Sequence, residues 1–131
     1  MSKIVISGSM QFLKNMNEYK APLERKGFKV VLPEEDNWDS IKPDEINAYK
    51  RMVSKKHFDA IADPDTCAIL VINNPKRGID NYIGANTFAE IAIAFYFGKQ
   101  IYLLNDIYEP YSDELLAWGA VSLQGNINTL Q

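Results

Sequence analysis

Short apolar runs alternate with segments of helical pattern along this chain, and the alternation predicts an α/β fold. The runs are almost continuously apolar, as in strands that are buried on both faces of a parallel sheet. The sequence therefore predicts one doubly wound α/β domain over residues 1–131, Rossmann-like or flavodoxin-like, with a five-stranded parallel sheet. The predicted strands comprise residues 4–6, 28–32, 66–72, 100–104 and 120–122.

The segments between these runs carry apolar residues at helical spacing. Phe12 and Leu23 begin and end one such stripe, and Gly27 then stops the helix. Pro22 lies inside this stripe and is expected to kink the helix. A second long helix is predicted from Pro43, because proline is favoured in the first turn.

A third helix, over residues 86–97, is apolar on nearly every side. One face of a sheet cannot cover all of these side chains. The remainder would form an exposed apolar patch, which is typical of interaction surfaces. We therefore predict that this helix packs against a second copy of the chain, in a homodimer or a higher homo-oligomer.

Polar residues gather where the predicted strands end. In doubly wound sheets, ligands bind beyond the carboxyl ends of the strands. Gly8 lets the backbone approach a ligand closely, whereas Ser9 either binds that ligand or only caps the next helix. The sequence thus predicts a small-molecule site at this edge. The predicted binding residues are Ser7, Gly8, Ser9, Met10, Asn81, Gly84, Asn86, Thr87 and Asn105.

Glu90 is the acidic residue near the start of the third helix, and two interpretations of it are open. Thr87 and Glu90 have the spacing of a capping box, in which the carboxylate reaches back to a backbone N–H. Alternatively, Glu90 lies on a buried face beside the polar cleft, where a dry carboxylate is unfavourable unless it is used or paired. An ionised, poorly solvated carboxylate is suited to attack on an anomeric carbon.

That chemistry requires a second acid near the leaving base, and Asp59 is the candidate. Asp59 lies near the C-terminal end of the second long helix, where a carboxylate opposes the helix dipole. An acid in this unfavourable place is a hint of function. His57 follows Val53 by four residues and shares its apolar face. A core or boundary histidine is the simpler interpretation, with catalysis as the alternative.

Composition argues against several classes of function. The net charge of −3 over 131 residues, with scattered Lys and Arg, argues against nucleic-acid binding. No apolar run approaches the ~20 residues of a membrane span, and no signal peptide is recognised. The single cysteine, Cys67, can form no intrachain disulfide, so we expect a cytoplasmic protein. Because Cys67 lies inside an apolar run, we expect it to be a small buried hydrophobe.

No motif for a bound cofactor or metal is present. The chain lacks both the G-x-G-x-x-G fingerprint and a Walker A lysine. The acidic segment 34–40 does not have the spacing of a calcium loop. It is expected to be a solvated loop, or alternatively a lid whose Trp38 covers a ring of the ligand. We therefore expect no cofactor and no metal.

The order and spacing of these motifs resemble the nucleoside 2-deoxyribosyltransferase family, which includes the 2′-deoxynucleoside 5′-phosphate N-hydrolases. The resemblance rests on Ser7-Gly8-Ser9-Met10 after the first strand and on Gly84 to Glu90, which open the helix after the third. It implies that Glu90 is the nucleophile and that Asp59 contacts the leaving base or the sugar. It also implies that the first strand–helix turn lines the sugar or phosphate pocket.

The sequence therefore predicts an enzyme of N-glycosidic bonds, acting on a nucleoside or nucleotide by hydrolysis or deoxyribosyl transfer. Two alternatives stay open. The first is a catalytically silent nucleotide-binding or sensing domain of the same fold. The second is a structural or interaction protein in which Glu90 only caps its helix.

Overall fold

The strands of the structure confirm the predicted α/β fold and its parallel sheet. A computed structural model of the chain describes residues 2–34 and 38–130, with only the backbone of Trp38. The strands are β1 (Lys3–Gly8), β2 (Lys29–Val31), β3 (Thr66–Ile72), β4 (Gln100–Leu103) and β5 (Val121–Ser122). Within the described residues they form one sheet in the order β2-β1-β3-β4-β5, with every neighbouring pair parallel.

Helices pack on both faces of this sheet. The first two pack on one face and the last three on the other. They are α1 (Leu13–Glu18), α2 (Lys20–Arg25), α3 (Ile46–Ala62), α4 (Ala85–Tyr96) and α5 (Ser112–Ala117).

Alternate residues of the central strands point to opposite faces of the sheet. Ile4 and Ile6 of β1 pack towards α1 and α2. Val5 of β1 and Val71 of β3 pack towards α3 and α4. All four side chains are fully buried, so the sheet is covered on both faces, as its continuous apolar runs predict.

The strand order creates a crevice at the carboxyl ends of β1 and β3. From β1 the chain continues into α1 on one face, whereas from β3 it continues to α4 on the other. Because these two connections diverge, the backbone leaves an opening between them, which is where doubly wound sheets bind ligands.

The first predicted helix is divided into two. α1 ends at Glu18 and α2 begins at Lys20, with Tyr19 between them. Pro22 lies in the first turn of α2, where its missing N–H leaves no intrahelical hydrogen bond unmade. The interruption predicted from Pro22 is therefore present, as a new helix start rather than a kink.

The expectation that Cys67 is buried is wrong. Lys3 pairs with Thr66 and Ile4 pairs with Ala68, so Cys67 is an extra, bulged residue of β3. The bulge leaves the cysteine exposed, and its thiol donates to the carbonyl of Lys3 over 3.3 Å.

Two further expectations concern a lid over the ligand and a membrane-spanning helix. The alternative in which Trp38 covers a ring of the ligand as part of a lid depends on the side chain of Trp38, which lies outside the described residues. Among the helices of the described ranges, none combines the length and the apolar character that a membrane crossing requires.

Candidate functional site

A cleft of about 280 Å³ opens at the carboxyl end of β1. Its walls come from the end of β2, from one face of α3 and from the first turns of α4, and they are mostly apolar. The cleft thus lies beside the crevice between β1 and β3. Its lining comprises Gly8, Met10, Val31, Leu32, Pro33, Glu34, Lys50, Val53, Ser54, Lys56, His57, Phe58, Ala60, Asn86, Thr87 and Glu90.

Glu90 contributes a nearly buried carboxyl group to this cleft, with its side chain only 14% exposed. Its Oε2 lies 3.3 Å from Nε2 of His57, and its carboxylate accepts a hydrogen bond from the Ser7 hydroxyl. Glu90 therefore faces β1 and α3 across the cleft.

The capping-box interpretation of Glu90 is wrong. Residue Gly84 is the N-cap of α4, and no side chain caps this helix end. Thr87 is already inside the helix and is buried. Glu90 thus lies nearly one turn beyond the reach of the cap.

His57 is the residue whose position the sequence pattern did not settle. It lies on the face of α3 that meets α4, with 11% of its side chain exposed. Its Nε2 is 3.5 Å from Oγ of Ser7, in addition to its contact with Glu90. The only sequence signal was the four-residue spacing from Val53, which also lines the cleft.

Burial shifts the two ionisable groups in opposite directions. It raises the pKa of Glu90 to about 7, although the hydrogen bond from Ser7 acts in the other direction. It lowers the pKa of His57, against the effect of a hydrogen bond to the Ile6 backbone. Both shifts favour the uncharged forms.

Gly8 brings the backbone of β1 to the floor of the cleft. Its φ of +155° is unusual for residues with a side chain, and a Cβ here would lie 2.9 Å from the carbonyl oxygen of Ile72. Met10, Asn86 and Thr87 line the same cleft. Ser7 is fully buried beneath it.

Four other residues that were predicted to bind the ligand do not line this cleft. The hydroxyl of Ser9 accepts from the Gln11 N–H and contacts Nζ of Lys76 at 3.3 Å. Gly84 is the N-cap of α4. Asn81 and Asn105 line a separate depression, where their side chains hydrogen-bond to neighbouring loops.

Asp59 is not brought to the cleft. Its side chain is 67% exposed and forms an ion pair with Lys55 at 3.2 Å. A helix turns by about 200° over two residues. Since His57 faces the cleft, Asp59 faces solvent.

Charged groups also occupy the mouth of the cleft. Lys50 and Lys56 extend from α3, and Lys56 forms an ion pair with Glu34. In the described part of the chain, His, Cys, Asp and Glu side chains do not form any group of three that could hold a metal ion.

The similarity of this chain to known proteins lies in its fold. No family model matches the sequence, and no curated protein matches it. Among solved structures, a CMP N-glycosidase of Clostridium botulinum, BcmB, is similar, with a TM-score of 0.57 and 20% sequence identity. The match covers 93% of this chain and 87% of that one. It shows a shared fold over nearly the whole chain.

Proposed function

We propose that this chain cleaves the N-glycosidic bond of a nucleoside or nucleotide, with Glu90 as the nucleophile. The observation that carries the proposal is a nearly buried carboxyl group in a mostly apolar cleft, at the ligand-binding edge of a doubly wound sheet. The fold shared with a CMP N-glycosidase supports the same chemistry.

The reaction would proceed in two displacements. The ionised carboxylate of Glu90 attacks the anomeric carbon while the bond to the base nitrogen breaks, and the bonding electron pair leaves with the base. The departing base takes a proton from water, because the cleft is open to solvent. In hydrolysis, a second water then attacks the anomeric carbon, and the bond to the Glu90 oxygen breaks, which restores the carboxylate. The proton released from this water neutralises the hydroxide that the first step left. In deoxyribosyl transfer, a second base takes the place of that water.

The cleft has walls suited to such a substrate. Leu32, Val53 and Phe58 offer an apolar surface for the flat face of a base. Asn86 and Thr87 lie in the first turn of α4, where side-chain groups and the helix dipole favour sugar hydroxyls or an anion.

Ionisation of Glu90 sets the expected pH dependence. Its pKa of about 7 means that the nucleophilic form increases from pH 6 to pH 8. The rate of base release should therefore rise with pH through about 7. If the carboxyl group of Glu90 acted as a general acid instead, the rate of base release would fall as the pH rises through about 7.

A second candidate is a nucleotide-binding domain without catalysis. The position of Asp59 favours it, because the acid predicted to assist the leaving base is exposed and lies outside the cleft. Such a domain binds nucleotides through the same apolar walls but releases no base.

The proposed assembly is a homodimer formed through the C-terminal part of α4. Phe95, Tyr96 and Phe97 are exposed at this end of the helix, and Leu116 of α5 lies exposed on the same side of the sheet. Large exposed apolar groups in one region are typical of interfaces.

A panel of nucleosides and nucleotides, assayed for free base by chromatography, tests the proposal. The wild-type protein should release base and Glu90→Ala should not, while remaining folded by circular dichroism. Glu24→Gln, on the exposed face of α2, is the matched control for an acid far from the cleft. Thermal stabilisation by nucleotides without any base release would favour the binding domain instead.

A further inference from the structure

Three polar side chains from three different elements meet at the floor of the cleft. Ser7 comes from β1, His57 from α3 and Glu90 from α4. Nε2 of His57 lies 3.3 Å from the Glu90 carboxylate and 3.5 Å from the Ser7 hydroxyl. All three are largely or fully removed from solvent.

The hydrogen-bonding capacity of these groups limits how they can pair. An ionised carboxylate only accepts, whereas a neutral imidazole has one N–H and one lone pair. Two acceptors facing each other at 3.3 Å would repel, so a hydrogen must lie between Nε2 and Oε2. When Glu90 is ionised, that hydrogen belongs to His57. The ring also hydrogen-bonds to the Ile6 backbone, and the protonated imidazole, which has an N–H on each nitrogen, can donate to both partners. The Ser7 hydroxyl, whose Oγ lies 3.5 Å from the same Nε2, is the second donor group next to the carboxylate, and its hydrogen bonding acts to lower the pKa of Glu90.

We propose that His57 and Ser7 are positioning residues that hold the Glu90 carboxylate, through one N–H and one O–H donor, in the orientation needed for attack. This inference rests on the proposed function for its catalytic meaning. Two donors fix the plane of the carboxylate and stabilise its ionised form before substrate arrives.

The other charged groups of the cleft are exposed to solvent and have weaker effects on the Glu90 carboxylate. Lys50 and Lys56 of α3 and Glu34 after β2 line the cleft and are exposed, and Lys56 is paired with Glu34. Solvent screens exposed charges strongly. The His57 imidazole and the Ser7 hydroxyl are thus the groups that set the orientation and the ionisation of the Glu90 carboxylate.

The test compares His57→Phe, which removes the donor, with His57→Gln, which retains an N–H of similar reach. The side-chain carboxyl carbon of Glu90 is titrated by NMR in the whole protein, without any substrate. Loss of a charge-assisted hydrogen bond should raise its titration midpoint by about one pH unit in His57→Phe. His57→Gln should titrate close to the wild type.

Kinetics supply the second measurement. In His57→Phe, kcat should fall by about tenfold at pH 7 while KM changes little, since the donor acts on the nucleophile and not on the substrate. His57→Gln should recover most of that loss. Ser7→Ala, a smaller change, should shift the midpoint in the same direction and serves if His57→Phe does not fold.

The outcomes separate this inference from the proposed function. Equal titration midpoints in wild type and His57→Phe, or equally shifted midpoints in the Phe and Gln variants, would overturn the positioning role even if base is released. Shifted midpoints with rescue by Gln support the role, even if no substrate of the panel is cleaved. In that case only the proposed function fails.

Discussion

Replacing Glu90 by glutamine should stabilise the protein at alkaline pH and leave its stability unchanged in acid. Burial raises the pKa of Glu90 from about 4.5 to about 7. The folded state therefore holds a proton that the unfolded chain has already released. The stability associated with this proton is fully present below pH 4.5 and is lost as the pH rises through 7.

The magnitude follows from the same two values. A difference of about 2.5 pH units, at about 1.36 kcal/mol each, corresponds to about 3 kcal/mol of folding stability. The side chain is only 14% exposed, so solvent screening removes little of it. Glutamine has the shape of the protonated acid and does not titrate. Glu90→Gln should thus match the wild type at about pH 4 and below, and exceed it by about 3 kcal/mol near pH 9.

Urea unfolding at a series of pH values measures this difference directly. Subtracting the wild-type curve cancels the groups that titrate in both proteins. Glu24→Gln is the control, because this exposed acid should give a difference that does not change with pH. A flat difference for Glu90→Gln as well would refute the claim that the carboxyl group is buried at the cleft.

Three further predictions concern the rest of the structure. Gly8→Ala should destabilise the fold by about 1–3 kcal/mol in urea unfolding, because its Cβ would meet a backbone oxygen and the Met16 side chain at 2.9 Å; an unchanged midpoint would contradict this packing. Asp59→Asn should leave base release close to the wild-type rate, since its carboxylate is exposed and paired with Lys55; a loss as large as that of Glu90→Ala would restore Asp59 as the acid. Tyr96→Glu should convert the proposed dimer into a monomer by light scattering, because Tyr96 is 81% exposed among aromatic neighbours; a wild-type monomer at micromolar concentration would count against the dimer.

The fold could be predicted because its signals are local. The runs that form β1 and β3 are apolar at every core position, and only a central parallel strand buries both faces in this way. The break near Pro22 also follows from local backbone chemistry. Cys67 shows the limit of such patterns, since the bulge that exposes it depends on register with a neighbouring strand.

The site could be predicted only in part. Gly8 and Glu90 follow from the rule that ligands bind at the carboxyl edge of the sheet. The partner of Glu90 does not, because His57 reaches it only through the packing of α3 against α4. Asp59, two residues further along α3, is chemically attractive but is rotated away from the cleft. Sequence spacing does not reveal which side of α3 faces the cleft.

The N-cap of α4 illustrates the same difficulty on a smaller scale. Thr87 and Glu90 have the spacing of a capping box, yet the N-cap of the helix is Gly84. A shift of three residues in the helix start changes Glu90 from a cap into a side chain of the cleft. Helix boundaries are the least certain part of a sequence pattern, and here the interpretation of the carboxylate depended on one.

Covalent trapping would show whether the Glu90 carboxylate is the nucleophile. A 2-fluoro-substituted nucleoside slows hydrolysis of a glycosyl ester, because fluorine destabilises the oxocarbenium-like transition state, so the ester accumulates. Mass spectrometry of the intact protein, followed by peptide mapping, then locates the sugar. One glycosyl group is expected on Glu90 of the wild-type protein, and none on the Glu90→Gln variant. A sugar attached to another residue, or base released with no adduct at Glu90, would contradict it.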